Sequence, residues 1–151
     1  MATAKWTTPV AIETVISTDL NSLANGYGEC PGAASPVATT IDGNLYADLE
    51  LLTGTWGVAP TAGSLVEVYI VRRVDGTNYE NYTRGASGVG PANGYVGGFP
   101  LAAVTSAQRV ILPQITLPPT DFLFLFINKS GQTMNASGNT VKMRRYSEQS
   151  A

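Results

Sequence analysis

Hydrophobic and polar residues alternate with a period of two over much of the chain, a pattern typical of half-buried β-strands. Residues 44–51 show it clearly. The same period predicts strands over 65–74 and 139–146, and shorter strands over 95–101 and 108–112. The alternate side chains that we expect to point inward from the three long strands are Leu45, Ala47, Leu49, Leu51, Val66, Val68, Ile70, Val141 and Met143.

A continuous apolar run occupies residues 122–128 and ends at an asparagine. A strand of this kind should be covered on both faces rather than on one. Prolines on either side confine residues 114–117 to a sheet edge or a turn. Residues 77–94 follow an Asp-Gly turn signal and show little periodicity, which predicts a long loop.

The first 17 residues carry scattered apolar side chains among threonines, and Pro9 argues against a helix there. We therefore expect residues 1–17 to form an extended N-terminal arm. Residues 18–25 predict one short helix, because a threonine can cap its start and Gly26 can end it in the left-handed conformation. The remaining domain then comprises residues 18–151.

The pattern amounts to about seven or eight short strands without helical crossovers. Two-layer solutions for such a chain are a β-sandwich or a barrel. Long loops and uneven strand spacing favour an all-β, single-domain β-sandwich of jelly-roll type over an up-and-down barrel.

Composition and charge exclude several classes of function. The chain has 151 residues, no histidine, one cysteine and a net charge of −2, which disfavours nucleic-acid binding and removes imidazole catalysis and His-ligated zinc. We therefore expect no enzyme activity, no metal and no cofactor. The N-terminus lacks the apolar stretch of a signal peptide, and no apolar run is long enough to span a membrane. These features predict a soluble protein made in a cytoplasm, without a membrane partner.

Two features resemble reactive sites weakly. Asp48 and Glu50 share a strand face about 6.6 Å apart, within the roughly 6.5–9.5 Å that separates the carboxyls of inverting glycosidases. Alternation turns both toward solvent, however, so we interpret them as a solvated face. The single Cys30 has no neighbouring base in the sequence, and we expect an inert loop thiol rather than a reactive one.

A dense basic cluster comprises Lys142, Arg144 and Arg145. Lys142 and Arg144 should point outward on the last long strand, either as a solvated edge that discourages aggregation or as a docking contact to an acidic protein surface. Phosphate recognition is a third interpretation, which the negative net charge disfavours. Tyr79 and Tyr82, in the predicted loop, are candidate amphipathic anchors for an interface.

Several segments together resemble small virion structural proteins of tailed bacteriophages, of the head decoration or cement type. The segments that carry the resemblance are WTT (6–8), LNSLANG (20–26), LYADLEL (45–51), VYI (68–70), VDGTNY (74–79), LPPTDF (117–122), NKSG (128–131) and ASGNTV (136–141). The similarity covers most of the chain apart from the loops at 27–40 and 83–94.

The resemblance implies a non-enzymatic jelly roll on the outer capsid surface of the virion. It also implies a homotrimer, with the major capsid protein and the chain itself as partners, and an arm lying across the shell or a neighbouring subunit. The candidate interface residues are Trp6, Val10, Ile12, Val15, Tyr79, Tyr82, Lys142 and Arg144.

Two alternatives remain open from the sequence, namely a carbohydrate- or receptor-binding module of the virion and a tail or neck structural protein. A sugar-binding sandwich should display rows of exposed aromatic side chains along a groove. Trp6 and Trp56 fall in an arm and a loop, so the sequence predicts no such platform.

Overall fold

The structure, a computed structural model, describes residues 4–31 and 43–150. Within these residues the fold is all-β, as predicted. The strands are β1 (Ala4–Trp6), β2 (Glu13–Ile16), β3 (Gly28–Glu29), β4 (Tyr46–Leu52), β5 (Leu65–Arg73), β6 (Tyr95–Pro100), β7 (Arg109–Thr116), β8 (Asp121–Lys129), β9 (Thr140–Tyr146) and β10 (Glu148–Ser150).

Two four-stranded antiparallel sheets contain eight of these strands. The front sheet has the order β2-β9-β4-β7, the back sheet has the order β3-β8-β5-β6, and β1 pairs with β10 in a separate ribbon. Pairing is symmetric about the middle of the chain, because β5 pairs with β6, β4 with β7, β3 with β8 and β2 with β9. A long hairpin folded over on itself produces this pattern.

The main core lies between the two sheets. The inward positions predicted for β4, β5 and β9 are buried, with the exception of Leu45. Leu45 was predicted to point inward, but it precedes β4 and is 53% exposed. Its backbone instead anchors the local chain, because its N–H donates to Ser147 Oγ at 2.8 Å and its carbonyl accepts from Leu117 N.

Strand β8 is covered on both faces, as its continuous apolar run predicts. Phe122, Phe124 and Phe126 pack into the main core between the sheets. On the other side of the strand, a second cluster forms beneath loop side chains. Its members are Cys30, Val71, Leu123, Leu125 and Ile127, with Tyr69, Tyr79 and Tyr82 packed against them.

The loop between β5 and β6 supplies much of this cover. Its backbone is bonded to the start of β3, because Gly28 and Gly85 exchange two N–H···O hydrogen bonds of 3.0 and 2.7 Å. Gly88 approaches the same strand so closely that a Cβ placed there would lie 2.6 Å from the nitrogen of Gly28. Glycine at 88 therefore permits the loop to pack closely over the outer face of β8.

The helix predicted over residues 18–25 is wrong, and only a 3₁₀ turn forms at Thr18–Leu20. The backbone turns extended at Asn21 and adopts a positive φ at Ser22. Long-range hydrogen bonds replace helical ones, since Ser22 N donates to Asn135 O and Met134 N donates to Leu23 O. Burial of Leu20 and Leu23 therefore does not require a helix.

The predicted arm, 1–17, contributes two strands that pair with the C-terminal part of the same chain; residues 1–3 lie outside the described part. Strand β1 pairs with β10, and β2 pairs with β9 as the edge of the front sheet. Between them, Val10 N donates to Arg145 O at 3.0 Å. The division at residue 17 stays a prediction, as does the 18–151 domain, of which residues 32–42 and 151 lie outside the description.

Candidate functional site

The outward face of the front sheet differs from that of the back sheet because no described loop packs over it. We call it the front face and define it by outward side chains of three strands together with two side chains from the arm. These residues are Trp6, Ile12, Tyr46, Asp48, Glu50, Arg109, Ile111, Lys142, Arg144 and Tyr146. The alternation of β4 and β9 turns them outward while their neighbours enter the core.

A shallow depression of about 360 Å³ lies in the middle of the front face. Ile12 borders it beside β2, and Ile111 borders it on β7 at the other edge of the sheet. These two side chains are 64% and 57% exposed. Three interstrand spacings of about 4.8 Å separate the two edges, so the isoleucines stand roughly 14 Å apart.

Both carboxylates of the face are already engaged. Glu50 pairs with Arg109 at 3.1 Å. Asp48 Oδ1 accepts hydrogen bonds from Gln114 N at 2.8 Å and from the Tyr146 hydroxyl at 3.0 Å. The two acids do share one face, as predicted, but their bonding suits a structural role better than proton transfer.

The pKa of the Tyr146 phenol is shifted strongly by its surroundings on the front face. Partial burial, together with the hydrogen bond to Asp48 and the charge of that carboxylate, raises the pKa of Tyr146 to about 12. The neutral phenol therefore keeps its proton and its hydrogen bond well above neutral pH.

Two of the three cations of the face, Lys142 and Arg144, are less engaged than the acids, whereas Arg109 pairs with Glu50. Lys142 and Arg144 point outward as predicted, opposite Glu50 and Asp48 in the register of β4 and β9. Arg144 Nε donates to Val10 O at 3.3 Å. Among residues 4–31 and 43–150, the side chain of Lys142 makes no hydrogen bond or ion pair, although its backbone lies in the β9 ladder. Arg145, the third member of the basic cluster, points inward and pairs with Glu13 at 2.6 Å.

An aromatic cluster stands at one end of the front face. The ring of Trp6 meets the rings of Tyr46 and Tyr146 edge-on, with centroid distances of 6.0 and 5.3 Å. Trp6 remains 52% exposed. The sequence predicted no row of exposed aromatic side chains along a groove, and this three-ring cluster, formed when β1–β10 pairing brings Trp6 to the sheet, is not such a row.

The predicted interface residues do not all come together. Trp6, Val10, Ile12, Lys142 and Arg144 lie along the front face and its arm. Val15 is half-buried and packs against the main core. The two loop tyrosines lie on the opposite side of the sandwich.

Tyr79 and Tyr82 cover the outer face of the back sheet. Tyr79 packs under the guanidinium of Arg73, 5.2 Å from the ring centroid. Tyr82 lies against Cys30, and burial raises the pKa of both groups. Arg84 acts on the thiol in the opposite direction, but it is paired with Glu29 at 2.6 Å. The thiol therefore stays protonated near neutral pH, in keeping with the predicted inert role.

Sequence reasoning missed four members of the face, namely Ile111, Arg109, Tyr46 and Tyr146. The alternation of β4 and β9 already turned both tyrosines outward, so a count of outward aromatic residues could have found them. Ile111 lies on a strand whose alternation is broken by Pro113, and only the sheet order shows which edge it occupies.

Other kinds of site have little support in the described part of the chain. Residues 4–31 and 43–150 contain no group of three or more His, Cys, Asp or Glu side chains that could hold a metal ion. The same residues form no helix of the length and apolarity needed to cross a bilayer. Comparison with protein-family models, with curated proteins and with solved structures returned no match.

Proposed function

We propose that this chain is a non-enzymatic structural protein of a tailed-phage virion, which decorates and stabilises the outer capsid surface through its front face. One observation carries the proposal: the central strand β8 of the back sheet is covered on both faces, whereas the front face exposes Ile12, Ile111 and Trp6 beside two cations, Lys142 and Arg144, that form no ion pair within the described residues. Larger exposed apolar patches rimmed by polar residues mark protein interaction sites, and here two exposed isoleucines border one depression among charged side chains. The resemblance of the sequence segments to decoration proteins supports the same function.

A jelly-roll topology is part of the proposal. Its support is the strand order, in which eight strands form two four-stranded sheets paired symmetrically about the β5–β6 hairpin. A jelly roll is a double sheet of eight strands that contains two Greek keys. Such a sandwich gives a rigid body suited to clamping a shell.

The N-terminal arm is proposed to contact the major capsid protein and neighbouring copies within a homotrimer. Its backbone is held by the same chain, but Trp6 and Ile12 are directed outward and remain more than half exposed. The arm thus offers these side chains to a partner without having to detach. Aromatic and large apolar anchors of this kind concentrate the binding energy of interfaces.

We also propose that the protein is not an enzyme, because the acidic side chains of the front face are already bonded. Catalysis by a carboxylate pair requires one acid with a raised pKa and one free base. Here Glu50 is held by Arg109, and Asp48 accepts two hydrogen bonds. The chain has no histidine to replace them.

The experiment is re-addition of the purified protein to capsids from a phage in which its gene is deleted. The double variant Ile12→Ser/Ile111→Ser removes the two apolar borders of the depression. Burying their exposed parts is worth about 3 kcal/mol together, or about a hundredfold in Kd. The matched control is Val58→Ser/Val104→Ser, which alters two exposed apolar residues outside the front face.

We expect the wild type and the control to bind capsids equally and the front-face variant to bind about a hundredfold more weakly. Equal binding by all three proteins would contradict a role for the front face. A wild type that does not bind capsids would overturn the proposed function itself. Sedimentation of the free and bound protein also reports whether a trimer forms.

The carbohydrate- or receptor-binding alternative gains support from one observation, the exposed aromatic cluster of Trp6, Tyr46 and Tyr146. Aromatic rings that keep a polar edge exposed to solvent are typical of surfaces that bind sugars or proteins. Titration with oligosaccharides of the host surface, followed by tryptophan fluorescence in the wild type and in Trp6→Ala, separates the two functions. Saturable quenching that is lost in Trp6→Ala would favour the alternative.

A further inference from the structure

We propose that the front face binds an acidic, extended segment of the major capsid protein. Two carboxylates of the segment would contact Lys142 and Arg144, and its apolar side chains would pack against Ile12 and Ile111. This inference rests on the proposed capsid-decorating function and adds the chemistry of the surface that is recognised.

The first argument for an acidic partner is the balance of charged side chains on the front face. Glu50 is neutralised by Arg109, and Asp48 is held by Tyr146 and Gln114, so the acids are satisfied within the chain. Within the described part of the chain, the Lys142 side chain forms no ion pair although Glu50 lies opposite it on β4, and the Arg144 side chain donates to the carbonyl of Val10. The front face therefore carries three cations, Arg109, Lys142 and Arg144, against two acids, Asp48 and Glu50, and its net charge is positive although the whole chain carries −2.

The spacing of the two cations favours an extended partner. Lys142 and Arg144 are two residues apart on β9, so their Cα atoms stand about 6.6 Å from each other. Alternate side chains of an extended segment have the same spacing. Two carboxylates at positions i and i+2 of such a segment can thus meet both cations at once.

The borders of the depression favour a peptide over a simple polyanion. Ile12 and Ile111 stand on either side of the charged strands, and both are more than half exposed. A phosphate backbone has no apolar side chains to pack against them. A segment that combines acidic and apolar side chains satisfies both features.

Zero-length crosslinking tests the contact directly. The protein is bound to capsids that lack it and treated with a water-soluble carbodiimide, which joins a lysine amine to a carboxylate in direct contact. Mass spectrometry then identifies the joined residues. We expect Lys142 to be joined to an Asp or Glu of the major capsid protein, in a segment with a second acid two residues away.

Charge reversal provides the energetic test. Lys142→Glu places a third acid on the face, whereas Lys129→Glu makes the same change at an exposed end of β8 on the back sheet. We expect Lys142→Glu to weaken capsid binding at least about tenfold and Lys129→Glu to leave it unchanged. Circular dichroism confirms that both variants are folded, and a lysine in place of the crosslinked capsid acid should restore binding to Lys142→Glu.

The outcomes separate this inference from the proposed function. Wild-type binding with crosslinks confined to Lys129 or other lysines, or equal binding by the two variants, would overturn the acidic-segment proposal while leaving capsid decoration intact. Lack of wild-type binding to capsids would overturn both. Binding that is insensitive to Lys142→Glu but lost in Ile12→Ser/Ile111→Ser would show that recognition is apolar, which also contradicts the proposal.

Discussion

Truncation of Leu125 tests the asymmetry between the two sheet faces, on which the choice of the front face depends. Leu125 points away from the main core, yet it is fully buried beneath the tyrosines of the β5–β6 loop. Leu125→Ala should therefore behave as a core substitution, with a loss of about 2–5 kcal/mol that includes the cavity left behind. The matched substitution on the front face, Ile111→Ala, should change the free energy of unfolding by less than about 0.5 kcal/mol.

Urea unfolding followed by circular dichroism measures the free energy of unfolding of both variants, and a thermal melt gives their melting temperatures. At this chain length, each kcal/mol shifts the melting temperature by about 2–4 °C, so Leu125→Ala should melt roughly 6–12 °C below the wild type for a 3 kcal/mol loss. A Leu125→Ala protein within 1 kcal/mol of the wild type would refute the cover over the outer face of β8. An equally large loss in Ile111→Ala would refute an uncovered front face.

Two further outcomes concern the front-face hydrogen bond and the loop that seals the back sheet. The pKa of Tyr146, near 12 against an ordinary 10.0, means that the folded state keeps its proton where the unfolded state loses it. The stabilisation from the Tyr146–Asp48 hydrogen bond is present below pH 10 and is lost as the pH rises through 12. The free energy of unfolding of Tyr146→Phe, measured by urea unfolding, should therefore fall less steeply at alkaline pH than that of the wild type. Gly88→Ala should destabilise the protein by about 1–3 kcal/mol, because a Cβ there overlaps the backbone of Gly28. Gly57→Ala, at a site with open space, should have little effect in the same assay, and equal losses in the two variants would contradict the tight closure of the loop.

The fold was most predictable where the pattern along one strand determines burial. Alternation in β4, β5 and β9 identified the inward side chains, and the continuous apolar run of β8 predicted cover on both faces. The error at residues 18–25 has a different origin. A 3₁₀ turn buries the same leucines as a helix would, and hydrogen bonds to Asn135 and Met134, more than a hundred residues away, decide between them.

The candidate site was predictable only in part. Outward cations at Lys142 and Arg144 follow from alternation alone. The aromatic cluster does not, because Trp6 reaches Tyr146 through pairing between the two ends of the chain. Similarly, the role of Ile111 depends on β7 being a sheet edge, which is a property of strand order rather than of local sequence.

Electron cryomicroscopy of virions of the phage that encodes this chain tests the central claim most directly. We expect density for the sandwich on the outer capsid surface, with the front face and the arm against the shell or a neighbouring copy, and with the loop-covered back sheet toward solvent. Density at the tail or neck alone, or no density in the virion, would contradict capsid decoration.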